Sequence, residues 1–422
     1  MHYKVYIQIS IDGIWHDAAW LEFTGNLEQG MCGATIFSYL DDYVFAHLEN
    51  SSTALSLSYQ VNFEVHSQNH WPAFLLDLMP SGAHRRFWAS ELGIPQGAVS
   101  DWQFLSSCAM NPPGNLRIKE AASEMELLDD HLGFSREDVI RRKEDLLEFM
   151  RHNGAPVGGS SGAQGDAPKF LMTEGLNERW YPSAIIPEKK IKTEWLVKFA
   201  RGRKDIDRHI LYAEKVYLDI AKQMGCDIFQ ELIYEDACLF IPRFDVHVRD
   251  ERLIRCGVET IASTLGHFEF AMQASQEEVL QVIRRFSTNA KDDIKEWLRR
   301  DILNVCLGNT DNHLRNSAFI KSPNADVRLS PLYDFAPMAL DPEGIVRVTR
   351  WKKYENASIP NWHLIVENYC ENEPELHRMI HDILEKMGEV SGLLEEKNVH
   401  PEITNYVTEK VKIVRSYNEN YA

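Results

Sequence analysis

A chain of 422 residues, 44% hydrophobic and 26% charged, is too long for one small domain and too apolar to be disordered, so two or three compact units are expected. No apolar run reaches the roughly 18 residues of a membrane span, and the opening MHYKVYIQISIDG reads as a strand rather than a secretory leader. The formal net charge of −18 argues against autonomous nucleic-acid binding, which needs clustered Lys and Arg. The seven cysteines are scattered without a C-x-x-C pair, the usage of a cytoplasmic protein with reduced thiols.

Residues 1–110 alternate apolar and polar positions in short runs (HYKVYIQI, ATIFSYL, VNFEV) and predict a small strand-rich domain. It closes at residues 75–95, where a Pro-Ser-Gly break precedes a short helix that Pro95 ends. Residues 135–152 read as an amphipathic helix with Ser135 as N-cap. The run GGSSGAQGDAPKFLM, residues 158–172, has the composition of a flexible linker, yet it leads straight into strand-like KFLM.

A second strand, EWLVKFA at 194–200, places Trp195, Val197 and Phe199 on one face and Leu196 and Lys198 on the other. Lys198 is thus a lone ammonium in an apolar strand, and buried lysines need partners. The helix predicted from about 207 to 224 puts Glu214 on the face of Ile210, Tyr217 and Ala221, where it could meet Lys198; a surface glutamate fits that pattern equally well. CLFIPRFD, 238–245, is a continuous apolar strand that breaks at Pro242. These elements, from 111 to 245, form the expected second unit.

From 246 to 422 the reading turns helical. Ile294, Trp297, Leu298, Ile302 and Val305 keep helical spacing up to Gly308, and GNTDNHLRN, residues 308–316, follows at that helix's C-terminus. Asp311 and Asn316 are five apart, and Asp334 comes 18 residues later at the end of a short apolar strand. Asp-x4-Asn with a later Asp is the spacing of phosphoryl transfer: one carboxylate orients the nucleophile, while an amide oxygen and a second carboxylate hold Mg²⁺ on the phosphates. Alone the motif is weak, since a chain this long shows about one by chance. The order strengthens it. A Gly-rich run, a strand lysine, a helix glutamate, an apolar strand, Asp-x4-Asn and a final Asp follow the plan of a two-lobed kinase.

On GAQ…PK, RFD, GNTDNHLRN and LSPLYD the chain resembles the HipA family of bacterial serine/threonine kinases, toxin components of toxin–antitoxin pairs, and LMPSGAHRRFW is similar to the end of that family's small N-terminal domain. The resemblance implies an α+β, two-lobed kinase-like fold with a strand-rich N-terminal domain and a helical C-terminal lobe. It implies Asp311 as catalytic base, Asn316 and Asp334 as magnesium ligands, Lys198 on the ATP phosphates with Glu214 as its ion-pair partner, and His313 as a further catalytic group. Gly159, Ser160, Ser161, Gly162, Ala163 and Gln164, with Lys169, would form the phosphate loop, although GDAP separates Gln164 from Lys169 here. The loop serine that family members autophosphorylate corresponds to Gly159, leaving Ser160 or, preferably, Ser161 as the phosphosite. At the hinge, the Pro242 carbonyl and the Phe244 N–H would meet the adenine. A protein substrate and a HipB-like antitoxin are the implied partners.

Two other readings stay open: a non-catalytic nucleotide-binding pseudokinase, motivated by GDAP, and a small-molecule phosphotransferase on the same fold. His377 and His381, four apart on a helix, lack the Glu of a zincin motif and read as ordinary surface or core histidines, as do His66 and His70.

Overall fold

The computed structural model describes residues 3–48, 50–91, 93–123, 132–141, 149, 169–200 and 204–419. Its first sheet is antiparallel, in the order β4-β3-β2-β1-β5, from β1 (Tyr3–Ile11), β2 (Ile14–Phe23), β3 (Thr35–Tyr39), β4 (His66–Gln68) and β5 (Leu116–Ile118). The alternating Val5, Ile7 and Ile9 of β1 join Leu21 and Phe37 in one buried core. Two features differ from expectation. VNFEV is not a strand: Val61 is buried while Phe63 and Val65 point to solvent, and β4 begins only at His66. The sheet also takes its edge strand β5 from beyond residue 110, because β5 pairs with the middle of β1.

The second sheet has the order β7-β6-β8-β10-β9, from β6 (Lys169–Gly175), β7 (Trp180–Pro182), β8 (Ile191–Phe199), β9 (Ile233–Glu235) and β10 (Cys238–Pro242). Its faces divide as strict alternation demands. Phe170, Met172, Val197, Phe199 and Phe240 pack together on one side with Trp195 against them. Leu171, Leu196, Lys198 and Ile241 look the other way, into a cleft. The helix Asp205–Gln223 packs on the cleft side, its N-terminus closed by a reciprocal pair of bonds between Lys204 and Asp207. Beyond Met224, Gly225 turns the chain at φ +86°.

After residue 246 the chain is not immediately helical. It makes a hairpin, β11 (Val246–Arg249) with β12 (Arg252–Arg255), then β13 (Gly257–Thr260), which pairs with β14 (Ala318–Lys321) and through it β15 (Val327–Leu329). Asp250 and Glu251, at φ +51° and +60°, form the two-residue turn whose twist suits a hairpin. The helices Gln276–Phe286, Ala290–Leu307, Trp362–Tyr369, Pro374–Met387, Val390–Glu396 and Pro401–Glu419 complete this lobe around a core containing Leu298, Ile302, Trp362 and Ile380. The α+β, two-lobed kinase-like architecture expected from the sequence is the one observed. No helix among the described residues is long and apolar enough to cross a membrane, and the seven cysteines are free thiols.

Buried polar bonds join the first sheet's unit to the last. Glu259 accepts from Ser56 Oγ and the Leu57 N–H, both at 2.7 Å. Lys321 Nζ donates to the Ala54 carbonyl.

Candidate active site

The expected helix stop at Gly308 is present: φ +72° lets the chain leave the Ala290–Leu307 helix in the left-handed conformation. The loop that follows is tied at nearly every residue. Thr310 Oγ1 donates to the Ile345 carbonyl at 2.7 Å. The Asn312 amide oxygen accepts the N–H groups of Val348 and Thr349 at 3.0 and 3.3 Å, and its nitrogen donates to the Thr349 carbonyl at 2.7 Å. Arg315 donates to Asp77 at 2.9 Å and to the His267 carbonyl at 3.0 Å. Asn316 Nδ2 donates to the Asp311 carbonyl at 3.0 Å, closing the turn on itself. Among the groups these ties leave over are the half-buried Asp311 carboxylate and two buried amide oxygens, Asn309 Oδ1 and Asn316 Oδ1, neither of which accepts a hydrogen bond among the described residues.

Across the cleft, Lys198 is buried on β8, directly opposite Lys169 on β6. Its ammonium lies 2.7 Å from Glu214 Oε1 on the Asp205–Gln223 helix and also donates to Asp334 Oδ1. Burial disfavours a charged lysine, but attraction to Asp334 and Glu214 outweighs it and raises the Lys198 pKa above the usual range. Burial likewise works against the Asp334 carboxylate, yet Lys198 and Lys169 hold it well below the ordinary value. Glu214 is pushed up, by burial first and then by Asp334. Lys169 is pulled down to about 8, chiefly by burial, with Lys198 adding to the effect. Asp311 is raised by burial, and burial lowers His313, whose Nε2 lies 3.4 Å from Asp311 Oδ1.

Asp334 is not at a strand end as expected. β15 stops at Leu329, and Asp334 sits in the following loop at φ +54°, a conformation uncommon for a residue with a side chain. The left-handed turn brings the carboxylate round to Lys198. Beside it, Tyr333 donates its hydroxyl to the Arg315 carbonyl at 3.1 Å, and its ring lies 5.7 Å from that of Phe244.

The main cleft encloses about 1070 Å³ of empty space, open mouth included, under a largely apolar roof of Leu171, Leu196 and Ile241. Lys169, Lys198, Glu214, Pro242, Phe244 and Asp334 all line it. A smaller polar recess, bounded by Asp311, Asn312 and Asn316, shares Leu332, Tyr333 and Asp334 with it. The expected Lys198, Glu214, Lys169, Asp311, Asn316 and Asp334 thus converge on two adjoining cavities that meet at Asp334. Gly159, Ser160, Ser161, Gly162, Ala163 and Gln164 lie outside the described residues.

A hard divalent cation such as Mg²⁺ takes oxygen ligands and, near phosphates, few from protein. An orphaned amide oxygen on Asn316 beside the ionised Asp334 is such a donor set. Among the described residues no cluster of three His, Cys, Asp or Glu side chains could hold a metal. His377 is instead hydrogen-bonded to His363 and Asn372, both at 2.8 Å, and His70 stacks on Phe268.

Sequence reasoning passed over Arg315, Asn312 and Asp77. The first two lie inside the quoted motif and could have been suspected as clamps; Asp77 is 238 residues from Arg315 and carries no local signal.

Known proteins agree with this architecture. The HipA N-terminal domain model matches residues 18–119 and the HipA-like C-terminal domain model residues 160–390. HipA of Shewanella oneidensis, solved with HipB and operator DNA, is similar over 99% of this chain and 97% of its own at a TM-score of 0.67, with 14% sequence identity. A Haemophilus influenzae protein named "Putative kinase" is 27% identical over 143 residues, 31% of this chain and 42% of that relative. The chain therefore aligns with less than half of that relative's length. With its C-terminal family match alone spanning more than half of the sequence, the chain belongs to the HipA family.

Proposed function

We propose that the protein is an ATP- and Mg²⁺-dependent protein serine/threonine kinase of HipA type, in which the γ-phosphoryl of ATP passes to a protein hydroxyl. The observation that carries this reading is the Lys198 ammonium held between Glu214 and Asp334, across from a loop presenting Asp311 and Asn316 Oδ1. Lys198 and Lys169, adjacent on one sheet face, supply positive charge for phosphate oxygens. On this reading Asp311 orients the acceptor hydroxyl and takes its proton; burial raises its pKa, which would make it a better base than an exposed aspartate. Asn316 and Asp334 would hold the metal, which when bound neutralises charge on the phosphates. The apolar roof suits an adenine ring, which the Pro242 carbonyl and Phe244 N–H of the lining would meet. His313 tunes Asp311 through their proximity.

By analogy with the Shewanella complex, a HipB-like protein is the proposed partner, and growth arrest in the cytoplasm the proposed outcome. Ser160 or Ser161 is the proposed site of self-inactivation. Incubation with radiolabelled ATP tests the activity: wild type should label itself or a lysate protein, and Asp311→Ala should not. Blank signals from both, with ATP–Mg²⁺ still raising the melting temperature, would make the protein a nucleotide-binding module instead. Labelling of an aminoglycoside or sugar in place of protein would move the acceptor to small molecules.

A further inference from the structure

We propose that Asp77, contributed by the N-terminal unit, is a positioning residue for the 311–316 loop; the inference rests on the kinase reading and deepens it. Asp77 lies in the short 3-10 turn Ala73–Leu78 and is 8% exposed. Its carboxylate accepts Arg315 Nη1 at 2.9 Å, Thr260 Oγ1 at 2.8 Å and the Thr260 N–H at 3.0 Å. Arg315, itself 4% exposed, immediately precedes Asn316 and lies four residues after Asp311.

The contacts divide the labour. Asp77 fixes one guanidinium nitrogen, the His267 carbonyl fixes another, and Phe270 stacks beneath at 4.9 Å. The Arg315 carbonyl is held from the opposite side by the Tyr333 hydroxyl. A buried, charge-assisted bond of this kind is stiff, because breaking it leaves an ion without solvent or partner. Through Thr260, the same carboxylate ties down the start of the 261–264 helix, whose Ala262 N–H donates to the Leu314 carbonyl at 3.2 Å. Asp77 therefore grips the loop twice, once through the Arg315 side chain and once through the Leu314 backbone. Asp77 also lines the main cleft. The N-terminal unit is on this view part of the active-site scaffold, and what it sets is the height of Asp311 and Asn316 relative to the cleft. A misplacement of about 1 Å there costs on the order of a hundredfold in rate.

Wild type, Asp77→Asn and Ser56→Ala are compared. Ser56→Ala removes a bond between the same two units without touching Asp77 or Arg315. Two measurements are made on each: phosphotransfer kcat and KM for ATP, and hydrogen exchange at the backbone amides of 311–316. The expected result for Asp77→Asn is a kcat lower by about ten- to a hundredfold at unchanged KM, with faster exchange in the loop, and neither change in Ser56→Ala. Exchange in Asp77→Asn equal to that of wild type overturns the proposal. Should Asp77→Asn not fold, Asp77→Asn/Arg315→Gln, which buries no lone charge, takes its place under the same criteria. A wild type without phosphotransfer counts against the kinase reading alone, and loop exchange then decides the role of Asp77.

Discussion

The Lys198 ammonium lies 2.7 Å from the Glu214 carboxylate, joining the centre of the second sheet to the helix Asp205–Gln223. Both side chains are 5% exposed, and Asp334 shares the same ammonium. Removing a buried ion's partner leaves uncompensated charge, so Lys198→Met is expected to cost about 3 kcal/mol of stability, read as a lower urea midpoint. Lys198→Met/Glu214→Leu should recover part of that loss, because it removes one of the two stranded carboxylates. A double variant no more stable than the single one would contradict the ion-pair account.

On the proposed reading, a substitution at Asn316 should separate metal binding from folding. Its nitrogen makes one hydrogen bond and its oxygen none among the described residues. Asn316→Ala should therefore cost only about 1 kcal/mol in the absence of metal. The Mg²⁺ concentration giving half-maximal phosphotransfer should rise well above that of wild type. An unchanged Mg²⁺ requirement would remove Asn316 from the ligand set.

If the protein binds ATP as proposed, Lys169 should make that binding pH-dependent. Burial brings its ammonium down to about 8 from 10.5, so the free protein releases this proton as pH rises past about 8. Phosphate oxygens nearby would draw the pKa back up, so binding there takes up a proton, and ATP affinity falls as pH rises from 8 towards 10. Calorimetry in buffers of different ionisation enthalpy measures the uptake, which Lys169→Met should abolish. Asp334 acts at the other extreme. Its folded pKa is depressed below 3.8, so its stabilisation is complete above that value and is lost as pH falls below it.

Gly308 is constrained twice. Its φ of +72° disfavours any side chain, and a Cβ there would run into the Tyr406 ring. Gly308→Ala is expected to destabilise by about 2 kcal/mol or more and to displace the start of the 308–316 loop. Adding Tyr406→Leu should restore the steric part and leave the backbone part, which thermal melts of the two variants resolve.

Much of the site could be read along the chain because its determinants are local. Alternation put Lys198 on the face opposite Val197 and Phe199, helical spacing left Glu214 either inward or on the surface until packing buried it, and Gly308 marked the helix end. The same reasoning failed at VNFEV, since alternation signals a face but does not supply a hydrogen-bonded neighbour. It also passed over the hairpin at 246–255, whose Asp-Glu turn lacks the glycine that usually announces such a turn.

By itself the sequence determined the face of its strand on which Lys198 lies and the end of the helix at Gly308, and it put Asp311, Asn316 and Asp334 forward as candidates, because backbone periodicity is set by covalent geometry. Only the tertiary structure decided what they meet. Lys169 faces Lys198 through strand register, Asp334 reaches Lys198 through a left-handed turn, and Asp77 holds Arg315 from 238 residues away. Such contacts arise where segments distant in sequence pair or pack, and nothing in the local spacing of either partner encodes the other.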